Sequence, residues 1–162
     1  PILGLVKTIG LFLSFKVKFH REDINKILEM EDGKKFCVFR HVEIQRARKA
    51  DPEAIFVVRF TPENMTVKQN IRFSLLPMMI FMGFKGFRSK YWCVDDTSSM
   101  CQGIYQWQTV EDAVQYSNSI AMRFMTNRSI PGSVSSEVID QSKHRYWVFH
   151  AAADSTAVEL QK

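Results

Sequence analysis

The stretch FRSKYWCVDDTSSMCQGIYQW, residues 87–107, predicts a β-hairpin at the centre of the fold. Two aromatic-rich runs, 87–94 and 100–107, flank the polar sequence DDTSS, as expected for antiparallel strands joined by a short loop. We centre the turn on Thr97. That register gives the pairs Cys93 with Cys101, Tyr91 with Gly103, Ser89 with Tyr105 and Phe87 with Trp107.

Strands and helices alternate on both sides of this hairpin. AIFVVRF, residues 54–60, is typical of a buried strand, and a helix capped by Thr66 and ended by Gly83 follows it. Pro77 predicts a kink or an early break in that helix. TVEDAVQYSNSIAMRFM predicts one long helix with Thr109 as its N-cap, and SVSSEVID predicts a last strand. The order β-α-β-β-α-β indicates an α+β protein of the ferredoxin-like type.

An N-terminal arm precedes this unit. ILGLVKTIGLFLSF predicts an amphipathic helix, with Lys18 on its polar stripe, that is shorter than the roughly 20 residues needed to span a bilayer. A short helix in REDINKILEMEDG and an extra strand at residues 35–44 follow it. The predicted organisation is an arm at 1–50, an α+β domain at 51–150 and a poorly ordered tail at 151–162.

The formal charge of +5 lies entirely in the arm. Residues 1–50 hold 11 Lys or Arg against 6 Asp or Glu, whereas the remainder holds 11 of each kind. No basic helix, Gly-rich RNA motif or zinc-finger spacing accompanies this charge, so we expect no nucleic-acid partner. Residues 1–21 are basic and apolar, which suits an anionic membrane surface. Docking of this helix on the domain or on a partner subunit is the alternative.

Cysteine and histidine usage indicates a cytoplasmic protein without a structural metal. The three cysteines form no C-x-x-C pair and no secretory signal is evident, so we expect reduced thiols. The four histidines lie too far apart in sequence to suggest a zinc box, and we predict no metal. Asp, Glu and His ligands brought together by folding remain open. If the arm binds lipid, the protein is peripheral on the inner membrane surface.

Alternation of side chains sorts the strands into two faces. The face that we assign to the helices carries Phe56, Val58, Phe60, Phe87, Ser89, Tyr91, Tyr105, Trp107, Val134 and Val138. The opposite face carries Arg59, Arg88, Lys90, Trp92, Gln102, Ile104, Gln106, Ser135, Glu137 and Ile139. This second face is mixed and charged, which suits packing on a second copy, and we therefore predict a homodimer.

Four stretches together resemble the dimeric α+β barrel superfamily: IFVVRFTPENM, MGFKGFRSKYWCVDD, CQGIYQWQTVEDAVQYSNSIAMRFM and IPGSVSSEVI. They span about residues 54–140 and are similar above all to YdhR-like proteins and antibiotic-biosynthesis monooxygenases. The resemblance implies a barrel closed across a dimer, with a hydrophobic cleft between sheet and helices in each subunit. Some such relatives oxidise polycyclic phenols or quinols without metal or flavin, and others bind or degrade haem. No catalytic residue carries over, because the Asn/Trp/His set of the haem-degrading branch has no match.

A cleft for a flat apolar ligand needs stacking surfaces, adaptable walls and a few orienting polar groups. Aromatic rings supply the first, methionines the second, and an arginine can hold a phenolate or carboxylate. An ordinary aromatic core, gap-filling methionines and a surface salt bridge are the alternatives. The candidate ligand-binding residues are Tyr91, Tyr105, Trp107, Ser89, Met78, Met82 and Arg123.

Two functional hypotheses follow. In the first, the protein is a monooxygenase-like enzyme that needs no cofactor and binds a phenol or quinol whose own electrons reduce dioxygen; its catalytic residues are unknown. In the second, it is a non-catalytic module that holds haem, a quinone or a lipid-like molecule and reaches a membrane through residues 1–21. No residue in the predicted cleft is an obvious base, which is the weak point of the first hypothesis.

Overall fold

The computed structural model describes residues 6, 9–10, 16–45, 51–140 and 148–150. Within them the chain forms strands β1 (Val17–Phe19), β2 (Ile27–Glu29), β3 (Lys35–Ile44), β4 (Ala54–Phe60), β5 (Phe87–Val94), β6 (Cys101–Trp107), β7 (Ser135–Asp140) and β8 (Val148–His150). The helices are α1 (Val67–Phe73), α2 (Leu75–Phe81), α3 (Val110–Ser117) and α4 (Ile120–Thr126).

One antiparallel sheet in the order β7-β4-β6-β5-β3-β2-β8 organises the protein, and β1 pairs with the free end of β3. Side chains from α2, α3 and α4 pack on one face of the sheet and form the main core with β4, β5 and β6. The α+β class is therefore confirmed. In the part of the chain that the structure describes, no helix is long and apolar enough to cross a membrane.

The arm departs from expectation at two points. The predicted helix in REDINKILEMEDG is wrong: a 3₁₀ turn at Arg21–Asp23 leads into strand β2, which pairs with β3. Asn25 has a φ of 68°, a left-handed conformation that ends any helix there. Lys18 lies in β1 rather than on a helix, and most of the predicted helix at residues 2–15 falls outside the described residues.

The strand predicted at residues 35–44 is confirmed as β3. Its pairing with β5 makes it an integral part of the sheet, although it precedes the predicted boundary at residue 50. That boundary stays a prediction, as does the tail at 151–162, which lies outside the described residues.

The helix predicted after β4 is divided in two at Ser74. Thr66 caps α1 as predicted, in a reciprocal capping box with Gln69. The division comes just before Pro77, which has no N–H for the Phe73 carbonyl four residues earlier, so the early break predicted for Pro77 is observed. The Ser74 hydroxyl donates to the Ile71 carbonyl at 2.7 Å at the same place.

The single helix predicted after β6 is also wrong, because Asn118 and Ser119 separate α3 from α4. Thr109 caps α3 as predicted, and Ser119 caps α4 by accepting a hydrogen bond from the Met122 N–H. The Asn118 side chain donates to the Val114 carbonyl at 3.0 Å. Short polar side chains compete with the helical backbone in this way, and here they start a new helix.

The register of the central hairpin differs by one residue from the prediction. The Asp95 carboxylate accepts hydrogen bonds from Thr97 and Ser98, and its N–H donates to the Met100 carbonyl at 2.8 Å. Ser99 adopts a φ of 59°. The loop is therefore 96–99, with an even number of residues instead of five. The observed pairs include Val94 with Cys101, Cys93 with Gln102, Trp92 with Gly103, Tyr91 with Ile104 and Lys90 with Tyr105.

A shift of one residue turns side chains to the opposite face of a strand. Lys90 and Trp92 consequently face the helices, and Ser89 and Tyr91 face away from them, the reverse of the prediction. A bulge at Arg88 then restores the predicted pairing of Phe87 with Trp107. Cys93 and Cys101 are not opposite one another, and the cysteines of the chain are free thiols.

The face turned away from the helices is largely covered by the chain's own β2–β3 hairpin. Arg59 on β4 forms an ion pair with Asp32 in that hairpin, and its guanidinium lies 5.2 Å from the Phe36 ring centroid. Ile104 is fully buried there. The homodimer stays a prediction, but burial of this apolar cluster does not require a second copy.

We expect Gly86→Ala to destabilise the protein more than Gly132→Ala. Both glycines have a left-handed φ, which costs a residue with a Cβ about 1–2 kcal/mol. An added Cβ at Gly86 would also lie within 2.4 Å of the Asp112 carboxyl carbon, whereas nothing lies within 4 Å at Gly132. Urea unfolding of both variants measures the difference, and equal losses would show that the contact with Asp112 is not maintained.

Candidate functional site

A cavity of about 90 Å³ lies between the helix-facing side of the sheet and helices α1, α2 and α4. Polar groups at its wall include Asn70, Gln102 and Arg128. None of the described residues that line it is acidic. The walls are mainly rings and a thioether: Phe39, Phe73, Phe81, Trp92, Tyr105 and Met125.

Lys90 brings an amine into this apolar space. The residue is only 6% exposed, and its Nζ lies 4.3 Å from the Phe81 ring centroid, 4.4 Å from that of Trp92 and 4.1 Å from that of Tyr105. Gly103, which pairs with Trp92 on β6, provides the room: a Cβ there would lie 3.2 Å from the Lys90 Cε. The amine is therefore enclosed by three aromatic faces.

Burial lowers the pKa of Lys90 well below its ordinary value, and the nearby positive charge of Arg40 acts in the same direction. A buried ammonium without a counter-ion loses hydration that the protein does not replace. Ring faces attract a cation, but this attraction is worth about 2 kcal/mol, less than full desolvation of a charge costs. We therefore take Lys90 as a neutral amine in the folded protein.

The hydroxyl groups of Tyr105 and Tyr116 extend from the Lys90 amine as a hydrogen-bonded chain. The Lys90 Nζ lies 2.6 Å from Tyr105 Oη, and Tyr116 Oη donates to Tyr105 Oη at 3.0 Å. With a neutral amine, Tyr105 can donate its own proton to the Nζ lone pair while it accepts from Tyr116, so that each hydroxyl donates once. Burial raises the pKa of both tyrosines, which keeps them protonated. The three groups form a short, buried proton-carrying chain.

Of the predicted site residues, Tyr105 lines the cavity. Trp107, Met78 and Met82 belong to the same core but pack behind the cavity wall. The Trp107 ring centroid lies 4.9 Å from that of Tyr116 in a tilted arrangement, and its buried Nε1 has no hydrogen-bond partner among the described residues. These four residues belong to one core cluster, and only Tyr105 borders the space.

Tyr91, Ser89 and Arg123 are not brought to the cavity. Tyr91 stacks on His41 on the other face at 3.7 Å, and the Ser89 hydroxyl donates to Gln106 at 2.7 Å. Arg123 is exposed on the outside of α4. The arginine at the cavity wall is Arg128, whose guanidinium lies 4.2 Å from the Phe73 ring centroid.

Sequence reasoning missed Lys90 because it assigned this residue to the opposite face. In a strand without a bulge, Lys90 would lie on the face opposite to Phe87 and Tyr91, which agreed with that assignment. The signal that could have found it is the turn chemistry, since Asp95 followed by Thr97 and Ser98 forms an Asx-type turn and fixes an even loop.

Folding also brings two histidines together that are distant in sequence. Because β1 pairs with β3, the rings of His20 and His41 stack at 4.3 Å, and Asp23 lies beside them. The sequence left open whether folding brings Asp and His side chains together, and His20, Asp23 and His41 are such a group. This cluster lies on the opposite face of the sheet from Lys90, because His41 and Tyr91 are in contact there.

No family model and no curated protein matches this sequence. A solved structure described as an "anthrone oxidase-like protein" is similar, with a TM-score of 0.44 and 16% sequence identity. The match covers 76% of this chain and 59% of that protein, so the chain spans less than two thirds of its length. Similarity at this level assigns no function, and the site has to be interpreted from its own residues.

Replacing Lys90 with methionine tests the state of the amine. The pKa of Lys90 in the folded protein lies below its value of 10.5 in the unfolded chain, so between the two the unfolded chain binds the extra proton. The free energy of unfolding of the wild type should therefore rise relative to that of Lys90→Met as the pH increases toward 10.5. Urea titrations of both proteins measure this difference. A difference that stays constant with pH would show that Lys90 is charged and hydrated.

Proposed function

We propose that the Lys90 cavity binds a flat, single-ring phenol or quinol and that Lys90 accepts the proton of its hydroxyl group. The observation that carries this proposal is a buried amine with no counter-ion among the described residues, 2.6 Å from a tyrosine hydroxyl, in a ring-lined cavity. Lys90 is the base that the sequence analysis did not find in the predicted cleft. An enclosed base of this kind is typical of sites where a proton is moved.

The size of the cavity favours one ring over a large cofactor. An apolar cavity of about 150 Å³ holds benzene, and this one encloses about 90 Å³. A ligand ring would therefore displace side chains at the wall, and Met65 and Met125 are flexible enough to move. Haem is several times larger than benzene, so the same comparison disfavours the haem-binding alternative.

A bound phenol changes the electrostatics of the amine. The pKa of Lys90 is low because an unpaired charge is buried, and a phenolate would pair that charge. The resulting ammonium would also lie against three ring faces, which attract cations. Proton transfer therefore creates a neutral pair inside the cavity, and it should be most favourable for phenols with an acidic hydroxyl.

The reaction that we propose uses the electrons of the substrate. The phenolate transfers an electron to dioxygen, the two radicals couple at the ring carbon opposite the hydroxyl, and the Lys90 ammonium returns the proton to give a hydroperoxide. The ring C–H bond and the O–O bond of the hydroperoxide then break, which releases water and leaves a quinone. One phenol and one O₂ give one quinone and one water, so no external reductant enters. The protein contributes orientation, proton transfer and exclusion of bulk water.

The fold is compatible with this monooxygenase-like proposal. The strand order β7-β4-β6-β5, with α1 and α2 after β4 and with α3 and α4 after β6, supports a ferredoxin-like unit. We propose that this unit is the frame of a dimeric α+β barrel. The homodimer and the membrane contact of residues 1–21 are further parts of this proposal.

Oxygen uptake with a panel of single-ring phenols and quinols tests the function. The wild type should consume one O₂ per quinone formed, and Lys90→Met should lower the rate by at least about 100-fold, the usual scale for loss of a general base. Lys68→Met, the same change at an exposed lysine of α1, should leave the rate unchanged.

Binding and chemistry are separated by following the tryptophan fluorescence, to which Trp92 at the cavity wall contributes, during titration with each phenol. Lys90→Met should still bind the ring, since the walls are intact. If the wild type binds phenols without consuming oxygen, the oxygenase proposal is wrong and the non-catalytic binding module replaces it. If it binds none of them, the cavity has no such role.

A further inference from the structure

A cluster of two histidines and an aspartate lies where β1, the 3₁₀ turn and β3 meet. His20 follows β1, Asp23 ends the turn, and His41 belongs to β3. One ligand atom from each of these residues lies within 4.8 Å of the other two. The backbone fixes this meeting, because the His20 N–H donates to the His41 carbonyl at 3.0 Å.

Aromatic stacking holds both imidazoles in place. The rings of His20 and His41 are 4.3 Å apart and 19° from parallel, and the ring of His41 lies 3.7 Å from that of Tyr91. The His20 side chain is 13% exposed and that of His41 is 8% exposed. Ordered, nearly buried imidazoles lose little side-chain entropy when they bind a ligand.

Carboxylates surround the two rings. Asp23 Oδ2 lies 2.6 Å from His41 Nδ1, while Glu22 and Glu43 lie 2.8 Å and 2.7 Å from the two nitrogens of His20. Histidines that bind metals are usually oriented by such carboxylate partners through the second ring nitrogen. Lys26, at 2.6 Å from Asp23 Oδ1, neutralises only one of the three acidic groups.

Positive charge and access do not prevent cation binding here. The Arg40 guanidinium is turned to the other face of the sheet, where it donates to the Ser74 hydroxyl at 2.8 Å. A surface groove lined by Phe19, His20, Arg21, Ile24, Phe39, Arg40 and His41 leads to the cluster, so Arg40 borders the groove although its guanidinium donates to Ser74. A metal ion can therefore reach the imidazoles from solvent.

We propose that His20, Asp23 and His41 bind a divalent first-row transition metal, with Zn²⁺ the best match, and that Glu22 and Glu43 orient or complete the site. Nitrogen and carboxylate ligands suit Zn²⁺ at bonds of about 2.0–2.1 Å, which place neighbouring ligand atoms about 3.3 Å apart. Atoms that already lie within 4.8 Å reach this spacing when the imidazole rings rotate out of the stacked arrangement, so that their in-plane lone pairs converge on the ion. The metal would tie the N-terminal segment to the sheet.

Metal uptake by the purified, chelator-treated full chain tests this site. Equilibrium dialysis should find one equivalent of Zn²⁺ or Co²⁺ bound with a dissociation constant in the micromolar range or below. The Co²⁺ complex should show visible ligand-field bands without the intense near-ultraviolet band of a cobalt–thiolate bond, which separates this site from the three cysteines. No uptake of either ion would overturn the proposal.

Two substitutions and a control locate the metal. His41→Phe keeps a ring against Tyr91 but removes the ligand nitrogen, and Asp23→Asn keeps the shape of the carboxylate. Each should weaken binding by more than about 100-fold, since loss of an orienting group alone costs 10–100-fold. Glu63→Gln, at an exposed carboxylate elsewhere, should bind as the wild type does.

Circular dichroism shows which variants are folded. If His41→Phe does not fold, Asp23→Asn decides the question. Wild-type affinity in a folded His41→Phe or Asp23→Asn variant would place the ion elsewhere and overturn the proposal. The readout is binding, so it is independent of oxygen consumption.

Discussion

The pairing of β5 with β6 determines which side chains meet the helices, and the cavity depends on it. Asp95 closes the loop through hydrogen bonds from Thr97 and Ser98, and Ser99 completes the turn in a left-handed conformation. The even loop sets Lys90 opposite Tyr105. Because side chains alternate along a strand, a loop shorter by one residue would exclude the amine from the core.

A lysine at this position is costly for the fold. Its ammonium would be desolvated without a counter-ion, and an apolar residue of the same length would fill the space at less cost in stability. Local features that oppose stability are expected at functional sites. The bulge at Arg88 limits this unfavourable feature to one part of β5, because it returns Phe87 to the core opposite Trp107. The rest of the helix-facing side remains aromatic and apolar.

Adjacent residues on the same strands serve two separate clusters. On β5, Lys90 faces the cavity while Tyr91 stacks on His41 beyond the sheet. On β3, Arg40 donates to Ser74 on the helix side, and its neighbour His41 belongs to the histidine cluster. The sheet therefore separates an apolar site with one amine from a polar site rich in carboxylates. Neither cluster shares a side chain with the other, so each can be tested alone.

The sequence by itself determined the strands at 54–60 and 35–44, the caps at Thr66 and Thr109, and the burial of Tyr105. These features depend on neighbouring residues and on side-chain periodicity, which are local. The tertiary structure alone decided that REDINKILEMEDG supplies a strand, because pairing with β3 outweighs local helical preference. It also determined that Lys90 lies in the cavity and that His20 and His41 are in contact. Hydrogen bonds in the loop set the register of β5 with β6, and long-range pairing joins β1 to β3. Neither feature is encoded in the period of the side chains.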